Sequence, residues 1–186
     1  MKNQPNWAPG WGWAIPVLVA AAMAQTLVAQ EKTGGRENLL KNPSFEDGME
    51  GWDFSAWDKK GVSRIDEGEA RGGTKSAVIE NATADDSFLK QTVTVKPNTL
   101  YRFSGVIKTE NVETKNFGAT LSLEGTFETT KSIVRSKSWT RVEFEFDSGP
   151  LATIKVGCRL GHNSSKASGK VWFDELELVE LRAARR

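Results

Sequence analysis

The stretch LYRFSGVIKT, residues 100–109, alternates between apolar and polar side chains. In an extended chain Tyr101, Phe103 and Ile107 lie on one face, and Arg102 lies on the other. This period of two predicts a β-strand with one face buried in a core and one face in water.

The same alternation returns in three later stretches: GATLSLEG at 118–125, WTRVEFEF at 139–146 and ATIKVGCRL at 152–160. Turn-forming residues separate the strands, as KPN does at 96–98 and DSGP at 147–150. Short strands with one apolar face are typical of two antiparallel sheets packed around a single core. The sequence therefore predicts an all-β antiparallel sandwich of the jelly-roll type.

The last predicted strand, GKVWFDELELVEL at 169–181, changes phase along its length. Its apolar residues fall at odd positions up to Phe173 and at even positions from Leu176 onward. A one-residue slip turns every later side chain to the other face, so a local irregularity must absorb it. We expect a β-bulge at Asp174 and Glu175.

The N-terminal part of the 186-residue chain has a different composition. An apolar run, AIPVLVAAAMA at 14–24, follows a segment whose one charged residue is Lys2. Eleven apolar residues are too few to cross a bilayer but fit the core of a secretory signal peptide. We predict a signal peptide over residues 1–24, with cleavage after Ala24 or after Ala29, and a secreted, periplasmic or cell-surface location. An amphipathic or buried N-terminal helix is the alternative.

The remaining chain predicts a linker at 25–36, one domain at 37–181 and a short basic tail at 182–186. The whole chain has 25 basic and 24 acidic residues, and this near-neutral charge argues against nucleic acid or an anionic membrane as a partner. No membrane span is expected. Cys158 is the single cysteine and lies in an apolar strand, so we expect an inert, buried thiol.

Five motifs in order carry a family resemblance. They are NLLKNPSFEDG at 38–48, ARGGTKSAVIE at 70–80, QTVTVKPNTLYRFSGVIKT at 91–109, SWTRVEFEF at 138–146 and GKVWFDELEL at 169–178. Together they resemble the secreted carbohydrate-binding modules of families four, nine, sixteen and twenty-two, which have the galactose-binding-like jelly-roll fold. The first motif then predicts an opening strand and a turn.

The resemblance also implies a structural calcium ion near the ends of the domain. Matched by motif, Glu46 and Asp174 would supply carboxylates, with Glu69 and the main-chain oxygens of residues 73 to Lys75 completing the shell. Calcium prefers six to eight such oxygens. If the first and last strands are neighbours, the two carboxylates are close and repel unless a cation or donor lies between them. The alternative is that Lys75 or an arginine pairs with these acids.

Sugar recognition needs flat aromatic faces beside hydrogen-bonding side chains. The candidate ligand-binding residues are Trp57, Phe117, Phe127, Arg102, Glu143 and Arg159. For the aromatic residues the alternative is packing at the sheet edge, and for the polar ones a solvated face with cross-strand ion pairs. The polar strand faces carry no aromatic residue, unlike the stacking platform of a good cellulose or xylan binder.

Catalytic patterns are weak. Glu143 and Glu145 would be roughly 7 Å apart on one strand face, which overlaps the carboxylate spacing of inverting glycosidases. Plain alternation explains them equally well. His162 is the single histidine and lies in a serine- and glycine-rich stretch that offers no firm partner for a catalytic triad.

The sequence thus favours an exported, calcium-stabilised module that binds a polysaccharide or glycan without catalysis. It would act alone or beside a separate carbohydrate-active enzyme. Two alternatives stay open: a structural or adhesive cell-surface module, and a small polysaccharide-active enzyme on the same fold.

Overall fold

The computed structural model describes residues 36–183. The predicted signal peptide, nearly all of the linker and residues 184–186 lie outside the described part. Within it every regular element is a β-strand, so the predicted all-β class is confirmed. The strands are β1 Asp53–Ala56, β2 Val62–Asp66, β3 Ser76–Asp85, β4 Ser87–Thr94, β5 Thr99–Thr114, β6 Ala119–Leu123, β7 Arg135–Asp147, β8 Thr153–Leu160 and β9 Ala167–Ala183.

The strands form two sheets. The four-stranded sheet has the order β1-β4-β8-β6 and the five-stranded sheet the order β2-β3-β9-β5-β7. All neighbouring strands are antiparallel. The inner faces of both sheets contribute to one hydrophobic core, which confirms the predicted sandwich. No helix that could span a membrane occurs in residues 36–183.

The core follows the predicted alternation closely, but the outer faces do so less well. Tyr101, Phe103 and Ile107 are buried, and burial raises the pKa of the equally buried Cys158 thiol well above its usual value. The outward-facing hydroxyl residues, however, are not in water as predicted: Ser104, Thr120 and Ser122 are fully buried. Long side chains of neighbouring strands cover such short residues, as the guanidinium of Arg141 does by donating to the Ser104 hydroxyl at 3.2 Å.

The predicted bulge in β9 is confirmed. Between Asp174 and Glu177, two residues of β9 lie opposite Gly105 alone, and Glu175 takes a positive φ of 49°. The extra residue turns Leu176 back into the core. Gly105 makes this possible, because a Cβ at position 105 would lie 2.5 Å from the Cδ2 atom of Leu176.

The opening segment is a chain of turns, so the predicted strand at 38–48 is wrong. Residues 41–51 form bends and turns, and β1 begins only after them. Pro43 has no N–H for a strand ladder, and Asn42 and Phe45 take positive φ values of 45° and 60°, outside the range of regular strand backbone.

The opening segment nevertheless lies along the last strand, as expected. Two backbone hydrogen bonds join them, from the Leu39 amide to the Leu178 carbonyl at 2.9 Å and from the Leu176 amide to the Pro43 carbonyl at 3.0 Å. The side chain of Asn38 adds two more: its Nδ2 donates to the Leu176 carbonyl at 2.9 Å and its Oδ1 accepts the Leu178 amide at 3.0 Å. Phe45 is completely buried, and its ring lies 5.2 Å from that of Trp52. One side chain thereby fixes the turns to the core.

We expect Phe45→Ala to lower the free energy of unfolding by about 3–5 kcal/mol, because it leaves a cavity beneath the turns at a completely buried position. Urea unfolding of the two proteins measures the difference. Leu151→Ala, at a side chain 52% exposed, is the control and should change stability by less than about 0.5 kcal/mol. Equal effects of the two changes would contradict this role of Phe45.

Candidate functional site

A cleft of about 390 Å³ lies on the outer face of the four-stranded sheet. Side chains cross this face in registered rows, and Phe88 of β4 lies between Ser55 of β1 and Arg159 of β8. In the next row Lys90 lies opposite Gly157, where the two backbones approach so closely that a Cβ at position 157 would lie 2.1 Å from the Leu89 carbonyl oxygen. This surface is called the cleft below.

The first part of the floor is an aromatic ring covered by a guanidinium. Arg159 lies over the Phe88 ring at 4.6 Å. Its Nη2 atom is 2.9 and 3.1 Å from the two carboxylate oxygens of Asp86, which is almost fully buried. A planar cation held by both a ring and a carboxylate has few alternative positions, so the floor is fixed before any ligand arrives.

The second part of the floor is a group of three charges. Glu124 accepts from the ammonium of Lys155 at 3.0 Å and also contacts the ammonium of Lys90. Burial opposes ionisation of Glu124, but the two lysines outweigh it and lower the pKa of its carboxyl. The cleft therefore presents charged donors and acceptors close together at neutral pH.

Two exposed aromatic residues flank the floor. Trp57 is 73% exposed in the turn after β1, and Phe127 is 76% exposed in the segment between β6 and β7. Trp57 lines the cleft directly, and Phe127 lies two residues beyond Gly125, which lines the other side. Exposed aromatic rings bury large areas when a ligand covers them. Of the three predicted aromatic contacts, Trp57 lines the cleft, and Phe127 is two residues along the chain from a lining residue.

A buried carboxylate holds the turn that carries Trp57. The oxygens of Asp85 accept the amides of Asp58, Lys60 and Gly61 at 2.9, 2.9 and 3.1 Å, and a fourth amide from the following residue at 2.8 Å. Burial alone would raise the pKa of the Asp85 carboxyl, but these four amides outweigh it and lower the pKa. The position of the tryptophan therefore depends on an ionised group beneath it.

His162 supports the other side of the cleft. It is 1% exposed, its ring lies 5.2 Å from Phe117 and 6.1 Å from Phe127, and its Nδ1 is 3.4 Å from Arg159. Burial and the charge of Arg159 lower the pKa of the imidazole, which favours its neutral form. The predicted contact residue Phe117 is half-buried and packs against this histidine instead of standing free at the surface.

These contacts do not resemble a catalytic triad. The second ring nitrogen of His162, Nε2, lies 3.3 Å from the main-chain oxygen of Thr126. Glu143 and Glu145 are exposed on β7, in the other sheet. The residues described here thus give neither candidate a catalytic environment.

The predicted polar contacts are divided between the two outer faces. Arg159 lies in the cleft, whereas Arg102 of β5 and Glu143 of β7 lie on the outer face of the five-stranded sheet. The sequence reasoning missed several cleft residues: Asp85, Asp86, Phe88, Lys90 and Glu124. Most of these residues lie in the stretch ADDSFLKQ, residues 84–91. In it the buried Leu89 stands between Phe88 and Lys90, and this alternation could have indicated that Phe88 and Lys90 face outward together.

The predicted metal ligands are brought to one segment, residues 69–75. Glu46 accepts the amides of Thr74 and Lys75 at 2.9 Å each, and the Thr74 hydroxyl at 2.7 Å. These hydrogen bonds, the hydroxyl one first, lower the pKa of the exposed Glu46 carboxyl. Backbone amides just before β3 thus stabilise the negative charge of Glu46, as a positively charged side chain would.

Asp174 binds the same segment from the other side. Its Oδ2 accepts the amides of Arg71 and Gly72 at 2.7 and 2.9 Å, and its Oδ1 accepts that of Glu175 at 2.6 Å. Burial raises the pKa of this carboxyl, although the three amides act in the opposite direction. The bulge of β9 is what aims this carboxylate at the loop.

Each of these two carboxylates keeps one oxygen of the kind that calcium takes as a ligand. The Oε2 atom of Glu46 and the Oδ1 atom of Asp174 each accept a single hydrogen bond and keep a lone pair. The third predicted carboxylate, Glu69, pairs with Lys108 at 2.6 Å. The Lys75 ammonium, the alternative partner of these acids, donates to the Glu46 main-chain carbonyl at 2.9 Å. No cluster of three or more acidic, histidine or cysteine side chains occurs in residues 36–183.

The sequence of this chain is similar to a known protein family and to part of a longer protein. A family described as "Carbohydrate binding domain" matches residues 37–157. A tRNA(Glu)-specific nuclease, WapA, from Bacillus subtilis subsp. natto is 30% identical over 157 residues, which cover 76% of this chain and 7% of the nuclease. The chain thus spans less than a tenth of that relative.

Two solved structures share the fold. TmCBM61, solved in complex with β-1,4-galactotriose, has a TM-score of 0.56 and 19% identity, with 78% of this chain and 99% of the other covered. The CBM22-1 xylan-binding domain of Xyn10C from Paenibacillus barcinonensis has a TM-score of 0.55 and 18% identity, with coverage of 81% and 98%. At such identities the likeness concerns the fold alone.

We expect Asp85→Asn to lower the free energy of unfolding by about 1–3 kcal/mol, because its amide nitrogen would face the backbone N–H groups that the carboxylate now accepts. Chemical unfolding at pH 7 measures this. Asp58→Asn removes a charge from the same turn, but only from a surface pair with Lys60 and Lys166, so it should cost less than about 1 kcal/mol.

The Asp85 effect should depend on pH in a defined direction. Because its folded-state pKa lies below the ordinary value of 3.8, its stabilisation is complete above about pH 4 and disappears as the pH falls through the folded-state pKa. The stability difference between the wild type and Asp85→Asn should therefore shrink in acid. A stability difference that stays constant from pH 7 to pH 2 would contradict the conclusion that an ionised Asp85 holds these amides.

Proposed function

The chain belongs to the carbohydrate-binding domain family, and we propose on this basis that it binds a polysaccharide in the cleft of the four-stranded sheet. The observation that carries the proposal is the exposed ring of Trp57 beside a floor of fixed charges, with a second exposed ring, Phe127, two residues along the chain from Gly125 of the lining. Aromatic faces cover the C–H surfaces of a sugar ring, and charged side chains form strong hydrogen bonds with its hydroxyls.

The proposed ligand is a β-1,4-linked polysaccharide. Support comes from the ligands named for the two structural relatives, a β-1,4-galactotriose and a xylan. The cleft itself supports a polar chain: Arg159, Lys90 and Lys155 are balanced by Asp86 and Glu124, so hydroxyl groups find both donors and acceptors.

The proposed role is binding without catalysis. The environments of His162, Glu143 and Glu145 support this, because none is joined to a partner that would activate it. The nuclease activity of the WapA relative is not included in the proposal, since the shared part is 7% of that protein. We further propose export, supported by the apolar run at 14–24, and action on polysaccharide beside a separate carbohydrate-active enzyme.

We expect Trp57→Ala and Phe127→Ala each to weaken polysaccharide binding roughly tenfold, about 1.4 kcal/mol, because each removes one ring face. A glycan array identifies the ligand, and calorimetry on xylan or galactan gives the affinities. Leu151→Ala removes an exposed apolar side chain elsewhere and should bind like the wild type.

Two results would contradict the proposal. One is undiminished binding by the Trp57→Ala, Phe127→Ala double variant, which would show that the ligand binds to another surface. The other is no binding of any polysaccharide by the folded wild type, which would favour a structural or adhesive module.

A structural calcium ion is a second, separate part of the proposal. The lone pairs left on Glu46 and Asp174 support it, and so does the location of both at one loop beside β9. The ion would hold the opening segment and residues 69–75 together without taking part in sugar contact.

We expect calcium added to chelator-treated protein to raise the melting temperature, because a ligand that binds only the folded state stabilises it. Calorimetry with and without calcium measures the shift, and magnesium is the control ion. Glu46→Gln should abolish the calcium-dependent part of the shift. Identical melting curves of the wild type with chelator and with millimolar calcium would contradict the calcium proposal.

A further inference from the structure

A second pocket, of about 370 Å³, lies on the outer face of the five-stranded sheet, on the side of the sandwich away from the cleft. It is lined by Arg36, Leu100, Arg102, Glu145, Leu181 and Arg182. We propose that this arginine pocket binds an oxyanion, the carboxylate or sulfate group of an acidic polysaccharide. It is a site distinct from the cleft and goes beyond the function proposed above.

The backbone of three strands brings the arginines together. Leu100 and Arg102 of β5 point to the same face, Arg182 of β9 pairs with Leu100, and Glu145 of β7 pairs with Arg102. Arg36 reaches the pocket from the opening segment. Three guanidinium groups against one carboxylate give the pocket an excess of positive charge.

The central arginine is incompletely satisfied. The Nε atom of Arg102 is buried and has no hydrogen-bond partner within residues 36–183. Its nearest carboxylate, that of Glu177, is 3.8 Å away and is shared with Arg141 at 4.0 Å. A separation of 3.8 Å is too long for a hydrogen bond, so the Nη2 atom of Arg102 remains available to an acceptor that enters the pocket.

Cross-strand ion pairing accounts for this pocket only in part, because one lining arginine, Arg102, has such a contact, the 3.8 Å one with Glu177. Glu145 lies directly opposite Arg102 in the strand register, yet the two do not form an ion pair, and within the described residues neither Arg36 nor Arg182 forms one either. On a solvated face stabilised by its own charges, such a pair would be expected to close.

The lining indicates the kind of ligand. The fork of a guanidinium matches the two oxygens of a carboxylate or sulfate, which a neutral hydroxyl does not. The pocket contains no aromatic side chain, so it offers no stacking surface for a sugar ring. Recognition would therefore depend on the charged substituent of the polymer and weaken as salt screens it.

The test is affinity electrophoresis and calorimetry at low ionic strength with polygalacturonate, dextran sulfate and uncharged dextran. The wild type should bind both acidic polymers and not the uncharged one. Arg102→Ala should reduce that binding roughly tenfold or more, and Arg102→Lys should restore only part of it. Arg71→Ala is the matched control, because it removes the same charge from an exposed side chain outside the pocket.

Arg182→Ala, at an exposed position, provides a second variant in case Arg102→Ala does not fold, and circular dichroism checks both. Inorganic sulfate and phosphate distinguish a site for any oxyanion from one that needs the polymer: competition by either ion at millimolar concentration supports the shared oxyanion chemistry. Equal losses in Arg102→Ala, Arg182→Ala and Arg71→Ala would overturn the proposal, because diffuse charge would then explain the binding. Trp57→Ala should bind acidic polymers normally, which separates this site from the cleft.

Discussion

The pairing of β9 with strands on both sides is the constraint on which the rest of the structure depends. β9 lies between β3 and β5 in the five-stranded sheet, and the opening segment also bonds to it through Asn38. Its bulge turns Leu176 inward and aims Asp174 at residues 71 and 72. One irregularity in one strand thus positions part of the core and a surface loop together.

Carboxylates that accept backbone amides recur wherever this domain needs an ordered loop. Asp85 holds the turn beside Trp57, and Asp174 and Glu46 hold the segment before β3. An ionised carboxylate can satisfy several amides that have no strand partner. A chain with one cysteine therefore still fixes its loops, provided that these acids stay ionised.

Much of the fold could be predicted because alternation reports directly on burial in a two-sheet sandwich. Tyr101, Phe103 and the phase change near Asp174 were of this kind. The turns of the opening segment could not be predicted in the same way, because the alternation of side chains does not reveal the positive φ angles of Asn42 and Phe45. The cleft was predicted only in part: exposure of Trp57 follows from its polar turn, whereas the joining of Asp86, Phe88 and Arg159 depends on strand order, which local pattern does not contain.

The burial of Cys158 in β8 has a practical consequence. The sulfur is fully inaccessible, its pKa is raised by burial, and it lies in the core between the two sheets, so a thiol reagent can reach it only after the core opens. Since the chain has no other cysteine, the labelling rate of the intact protein measures how often the core opens at β8. Cys158 is thus a built-in probe of how often the sandwich opens.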